Sequence, residues 1–275
     1  MLEIVTGSFA PRTWRFGPPV RIRVVDWNIN RGDKLSGVID FLASQNADLL
    51  VLQEVDMGTR RARNLNVAEE VARALEMNYV FGREFQELAE SSHGSPAYTG
   101  QATLSRWPLC GPRLIRFERQ SGFWHPRWWV PNAPIFQARV GGRIALVTEA
   151  RIVGRPLAVY NLHLESRGDD QLRVSQLQEV LANTMTVPPS TPVIVAGDMN
   201  FDTSQPAAAG LVEHSGLCDL IGSHSVPTTP RRLFHSGQAI DRALVRGPVR
   251  SEDITIHRSV EASDHYPLSF TLSFD

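Results

Sequence analysis

The sequence predicts a layered α/β protein, and three observations carry that prediction. Short apolar runs recur with the length of buried strands, among them Asp48-Leu-Leu-Val-Leu-Gln-Glu54 and Val193-Ile-Val-Ala-Gly-Asp-Met-Asn200. Segments with apolar residues at helical spacing alternate with them, as at Leu172, Leu177, Val180 and Leu181. The 275 residues are 42% hydrophobic, with no Ser/Gly-rich linker, charge block or internal repeat. That composition suits one sizeable layered core, α/β or β-sandwich.

Residues 1–19 contain Pro11, Pro18 and Pro19 without periodicity and are expected to be an extended lead-in; residues 20–275 form the domain. A first strand runs from Val20 to Asn28, alternating and then turning apolar. Residues 36–46 present Val38, Ile39, Phe41 and Leu42 as a short helix. Asp48 to Glu54 is a second buried strand. Asn64 or Asn66 caps a helix reaching about Met77, with Val67, Val71, Ala74 and Leu75 on one face. Tyr79-Val-Phe-Gly reads as a strand, residues 85–99 as a loop, and Gly100 to Pro108 as a strand and turn. Residues 110–117 and 134–163 hold further strands, with Gly141-Gly142 as a hairpin turn. Helices are expected at 170–184 and near 207–215, and strands at Ile240 to Val245 and Leu268 to Phe274.

A net charge of −1 does not mark a strongly basic nucleic-acid binder. Lys34 is the only lysine, a bias that fits genome composition and would also suit bidentate phosphate recognition by arginine. Cys110 and Cys218 stand far apart, which excludes a disulfide framework or a cysteine zinc site; buried thiols are expected. The N-terminus lacks a basic region followed by an apolar core, and no apolar run approaches the roughly 20 residues that span a bilayer. A soluble, cytoplasmic monomer is the expectation.

The chemistry gathers at strand ends. In Val193 to Asn200, Gly197 lets the backbone turn and Asp198 and Asn200 emerge together at the carboxyl end. Alone, that pattern also describes an Asx turn. An apolar strand finishing in Glu54 is a stronger signal, because a buried charge is costly unless it is paired or binds a metal. Asn28, His163, Asp241, and Asp264 with His265 complete the set. Phe123-Trp-His-Pro-Arg-Trp-Trp129 holds three of the six tryptophans, as a buried plug or as a stacking surface.

These polar strand ends resemble the endonuclease/exonuclease/phosphatase superfamily of metal-dependent phosphoesterases. The motifs are Trp27-Asn28, Leu52-Gln53-Glu54, Asn161-Leu162-His163, Gly197-Asp198-Met199-Asn200, Ile240-Asp241-Arg242 and Ser263-Asp264-His265, in family order over about residues 20–274. The resemblance implies a four-layer α-β-β-α sandwich of two packed mixed sheets. It implies a magnesium ion, with manganese as the substitute, held by Glu54, by the Asn28 amide oxygen, and by Asp264 directly or indirectly. It assigns Asp198 to the attacking water and Asn200 to the geometry of phosphate and water. His265 would meet a non-bridging phosphate oxygen, with Asp241 keeping it protonated.

Asn161-Leu-His163 resembles the DNase I, sphingomyelinase, inositol-phosphatase and tyrosyl-DNA phosphodiesterase branches, whereas abasic-site endonucleases carry Asn-x-Tyr-x-Pro-Asn. By analogy with DNase I, Glu84 would orient His163. His163-Leu-Glu-Ser-Arg-Gly168 and Gln176-Leu177-x-x-Val180-Leu181 are similar to the tyrosyl-DNA phosphodiesterase that removes 5′ adducts. The chain is one residue shorter there and has Asn28-Ile-Asn30-Arg31-Gly32 in place of Asn-x-Asp-Gly. Asn30, Arg167, Trp124 and Trp128 are the candidate substrate contacts. The expected activity is metal-assisted hydrolysis of a phosphodiester in nucleic acid or end-modified nucleic acid. Inositol phosphates and sphingolipid are the alternative substrates, and a non-catalytic binding protein is the rival from another class.

Overall fold

The structure is a computed structural model that describes residues 3–11, 21–92, 94–124, 131, 133, 135–222, 226–231 and 236–274. In chain order these form β1 (Ile4–Ser8), β2 (Arg21–Asn28), α1 (Leu35–Ser44), β3 (Leu49–Met57), α2 (Val67–Ala74), β4 (Asn78–Glu87) and β5 (Tyr98–Ser105). They continue as β6 (Leu109–Arg116), β7 (Arg139–Gly141), β8 (Ile144–Ile152), β9 (Arg155–His163), α3 (Asp170–Thr184), β10 (Val193–Asp198) and α4 (Pro206–His214). The last elements are β11 (Cys218–Asp219), β12 (Asp241–Arg246), β13 (Val249–Ile256) and β14 (Leu268–Phe274). One sheet runs β1-β4-β5-β3-β2-β14-β13, with β7 also on β4; the other runs β11-β12-β10-β9-β8-β6. Each sheet contains one parallel pair, β2 with β3 and β9 with β10, so both are mixed.

Three apolar clusters define four layers. Val38 and Leu42 of α1 and Val67 and Val71 of α2 cover Trp27, Leu50 and Phe81 of the first sheet. Leu177 and Val180 of α3 and Val212 of α4 cover Tyr160 and Val195 of the second. Between the sheets, Val24, Leu49, Val51 and Phe270 meet Val159, Ile194 and Ala243. Burying both faces of β2, β3, β9 and β10 explains why these strands read as continuous apolar runs. Helix starts follow side-chain caps: Asn66 accepts from the Glu69 N–H at 3.3 Å, and Asp169 from the Leu172 N–H at 2.9 Å.

The structure corrects several expectations. Gly141-Gly142 is not a hairpin turn: β7 pairs with β4 in the first sheet and β8 with β6 and β9 in the second, so the chain crosses between sheets there. A Cβ at Gly141 would lie 2.3 Å from the Glu84 carbonyl oxygen, so this crossing needs a glycine. The hairpin turn is Val153-Gly154, between β8 and β9. Residues 85–99 are not a loop throughout, because β4 extends to Glu87 through an irregularity between Arg83 and Phe85. Within the lead-in, Ile4–Ser8 is an edge strand against β4; residues 12–20, Val20 included, lie outside the described residues. Cys110 and Cys218 are unpaired, but Cys218 is exposed and Cys110 half-buried, not core thiols.

At Gly197 the strand does not turn away but continues to Asp198. Its φ of +141° and its approach to β9 demand glycine, since a Cβ would sit 1.9 Å from the Leu162 carbonyl oxygen. Gly197→Ala is therefore expected to destabilise the protein by about 3 kcal/mol or more. Chemical denaturation measures this, and a loss below about 1 kcal/mol would show that β9 and β10 can separate here without cost.

Candidate active site

Register brings three of the side chains expected to be catalytic together. Asp198, the last residue of β10, lies opposite His163 of β9 on one side and Asp241 of β12 on the other. Residues level in register share a face, so all three project toward the first sheet. From that sheet Asn28, the end of β2, donates from Nδ2 to Asp198 Oδ2 at 3.1 Å. The Ser263-Asp264-His265 turn is pinned over the same edge: Trp27 Nε1 donates to the His265 carbonyl at 2.8 Å, and Ser263 Oγ to the Asn28 carbonyl at 2.6 Å.

His265 is the electrostatic centre. Its Nδ1 donates to both Asp241 oxygens, at 2.9 and 3.0 Å, and its Nε2 lies 3.7 Å from Asp198 Oδ2. Burial alone would lower its pKa; Asp241 and then Asp198 outweigh that and push it up to about 10. Asp198 is raised, first by burial and then by Asp241 against the pull of His265. A donor group of Asp198, Asp241 and His265 has its ligand atoms within 4.8 Å of one another. Two of its members, Asp241 and His265, are hydrogen-bonded to each other.

His163 is buried, with Nε2 3.5 Å from Asp198 Oδ2 and Nδ1 3.7 Å from Glu84 Oε2. Burial, followed by Arg143 and His265, lowers its pKa well below the usual value. It is therefore neutral, and these approaches are not ion pairs. Glu84 is raised to about 7 by burial, against the opposing pull of Arg143. Arg143, itself buried, donates from Nη1 to Glu84 Oε1 at 2.6 Å and from Nη2 to Ser166 Oγ at 2.8 Å. The expected pairing of Glu84 with His163 is thus an approach of 3.7 Å without a hydrogen bond, and Glu84 is held instead by Arg143, which also reaches Ser166 beyond the other sheet.

Glu54 sits at the β3 bulge, with φ +49° and Arg31 Nε 3.4 Å from its Oε2. Asp264 accepts from Ser263 Oγ at 3.5 Å. The Oδ1 of Asn28 accepts from the Asn30 N–H at 3.1 Å, and Asn200 N–H donates to Asp198 Oδ1 at 2.9 Å. Arg167 lies over the Phe123 ring, 5.0 Å from its centroid. Trp124 is anchored: its Nε1 donates to Glu165 Oε1 at 3.1 Å and its ring packs on Phe85 and Phe123. Trp128 and Trp129 lie outside the described residues. Arg61 is tied bidentately to buried Asp56 at 2.6 and 3.0 Å.

Sequence reasoning missed Arg143, Glu165, Asp26 and Arg31. Asp26 carried the same signal as Glu54, a carboxylate inside an apolar strand. It is buried, raised well above its usual pKa by burial and then by Asp241, and accepts from Gln53 Nε2 at 2.9 Å. Asn161 is a clamp and not a catalytic group: its Nδ2 donates to the Leu52 and Ala102 carbonyls, both at 3.0 Å. Arg143 gave no local signal, since its partners are 59 and 23 residues away.

The family model described as Endonuclease/Exonuclease/phosphatase family matches residues 27–265. Among solved structures, an endonuclease/exonuclease/phosphatase from Beutenbergia cavernae is similar at TM-score 0.66 and 18% identity, covering 92% of this chain and 72% of that one. A Bacteroides thetaiotaomicron family protein is similar at TM-score 0.64 and 17% identity, covering 94% and 100%. D. rerio TDP2 complexed with single-strand DNA product is similar at TM-score 0.63 and 21% identity, covering 92% and 98%. At these identities the likeness establishes the fold. No curated protein sequence matches the chain. No described helix is long and apolar enough to cross a membrane.

If Asp241 holds His265 protonated, Asp241→Asn lowers the His265 pKa. NMR titration of the imidazole measures it, and an unchanged or higher pKa would reject the pairing.

Proposed function

The chain belongs to the endonuclease/exonuclease/phosphatase family, and from that we propose that it is a divalent-cation-dependent phosphodiesterase that uses water to cleave nucleic acid or end-modified nucleic acid. The observation that carries this reading is the group at the strand ends, where Asp241 and Asp198 flank His265 and favour its cationic form. Such a group suits a reaction that needs a carboxylate for a water proton beside a cation for a phosphate oxygen.

The donor chemistry fits magnesium. Glu54 is an acidic side chain on the β3 bulge, with an arginine as its ion-pair partner. With the Asn28 oxygen and Asp264 it makes a hard, all-oxygen set suited to magnesium or manganese. When bound, such an ion supplies charge neutralisation to the phosphate. Asp198, its pKa raised, takes the proton of the attacking water, and Asn200 holds water and phosphate in line. His265 donates to a non-bridging oxygen. Neutral His163, beside Glu84, reaches the phosphate or the departing oxygen through Nε2, and Arg167 extends the contact outward.

The substrate assignment has a geometric support. A cleft of about 440 Å³ opens beside Asn200, lined by Asp170, Asp202, Gln205, Gln238 and Arg173. Arg173 is committed to Asp170 at 2.7 Å and to the Ser166 and Gly168 carbonyls at 3.3 and 3.2 Å. The lining carboxylates are ion-paired in turn, Asp170 with Arg173 and Asp202 with Arg242 at 2.6 Å, so the cleft offers amides and paired charges that suit a sugar or base and, among the described residues, no free cation for a polyphosphorylated inositol. The D. rerio TDP2 structure with its single-strand DNA product points the same way.

Two outcomes test this. Glu54→Gln is expected to lower turnover of bis-p-nitrophenyl phosphate by about 10²-fold or more, with the fold intact; near wild-type turnover at limiting magnesium would sink the metal assignment. In a competition with magnesium or manganese, a 5′-phosphotyrosyl oligonucleotide or its unmodified counterpart is expected to be cleaved in preference to an inositol polyphosphate or sphingomyelin vesicles. Preferential hydrolysis of either of the latter would overturn the nucleic-acid assignment.

A further inference from the structure

Arg31 has no part in the roles above, yet it faces the carboxylate on which they depend. Its Nε lies 3.4 Å from Glu54 Oε2, buried and without a hydrogen bond among the described residues. Both residues hold left-handed backbone, φ +65° at Arg31 and +49° at Glu54. Neither is a glycine, and such strain persists where the surrounding structure enforces it, commonly at functional sites.

The arginines nearby are committed elsewhere. Arg143 binds Glu84 and Ser166. Arg61 binds Asp56, and Arg139 lies 3.1 Å from Glu87. Arg31 differs in that its only ion-pair partner among the described residues is Glu54. The Arg31 side chain is 34% exposed and that of Glu54 24%, so the pair opens onto the site. A pair of this kind, partly solvated and lacking a hydrogen bond, yields readily to a stronger competitor.

We propose that Arg31 is a phosphate-binding residue that changes partners: it holds Glu54 until a divalent cation takes that carboxylate, and then turns to a non-bridging oxygen of the scissile phosphate. This rests on the assignment of Glu54 as a cation ligand. The guanidinium keeps its charge throughout and presents paired N–H donors that match a phosphate edge. The exchange also solves a charge problem. A cation brought to Glu54 beside Arg31 is repelled by the guanidinium, and an arriving phosphate satisfies both. Cation and phosphate binding therefore favour each other through Arg31, and the coupling is reciprocal.

The test is Mn²⁺ binding to the full chain, read by electron paramagnetic resonance, with and without inorganic phosphate. Wild type, Arg31→Gln, Arg31→Lys and Glu54→Gln are compared. Without phosphate, Arg31→Gln is expected to bind Mn²⁺ about two- to fivefold more tightly than wild type, the factor that a partly exposed competing pair is worth. Phosphate should tighten Mn²⁺ binding in wild type, less in Arg31→Lys and least in Arg31→Gln. Equal Mn²⁺ affinity and equal phosphate coupling in wild type and Arg31→Gln would overturn the proposal. Mn²⁺ binding unaffected by Glu54→Gln would instead overturn the ligand assignment itself. Loss of binding in Glu54→Gln beside an indifferent Arg31→Gln would refute the exchange alone.

Discussion

Two carboxylates buried side by side and one imidazolium between them set the terms for this molecule. Asp198 and Asp241 occupy matched positions on neighbouring strands, so they cannot move apart without breaking the β10–β12 register. Like charges at that spacing in a poorly hydrated place are costly, and His265 offsets them. Asp26, in the first sheet, is driven toward its neutral form by burial and then by the same field. Because the folded pKa of His265 is about 10, above its usual value near 6.5, its stabilisation is complete below that usual value and is lost as pH rises through 10. The turn that carries His265 is accordingly fastened at Trp27 and at the Asn28 carbonyl.

The sandwich supplies the rigidity this needs. The inter-sheet core is aliphatic along most of its length, and polar groups cross it near the strand ends that carry the candidate site. Asn161 reaches Leu52 and Ala102, Asn28 reaches Asp198, and Arg143 reaches Glu84 from the crossover next to β8. Each crossing group fixes a neighbour on the chemical side: Asn161 lies two residues before His163, on the same face of its strand. Preorganised groups spend no binding free energy on arranging themselves during reaction.

How legible all this was depended on burial. Strands buried on both faces, β2, β3, β9, β10 and β14, announce themselves as apolar runs, and their polar ends supply the site. β13 escaped because it is an edge strand, Val249 to Ile256, with mostly exposed polar residues and no apolar run to find. Gly141-Gly142 looked like a turn because glycine pairs mark both turns and close backbone approaches, and sequence alone does not separate them. α3 was placed well because Leu172, Leu177, Val180 and Leu181 recur at helical spacing, and all four are buried. Side chains that act through long-range pairs, Arg143 and Glu165 above all, left no local pattern. The role of Trp124 lay between the two readings: it is fastened by Glu165 as a plug would be, yet it stands one residue from Phe123, over which Arg167 lies.

The arginine bias acquires a physical meaning here. Arg143, Arg61 and Arg242 each bridge more than one partner from a buried or half-buried position, which a single ammonium on a flexible stem could not do with the same geometry. Lys34 instead sits at the surface, donating to the Glu261 carbonyl. With so many guanidiniums neutralised by carboxylates, the site does not project the broad positive field of a nucleic-acid-coating protein, in keeping with the net charge of −1. Recognition of a phosphate must then rest on a few donors placed at one edge of the sandwich. A site so built would select by geometry at a single phosphate and gain little from a long polyanion.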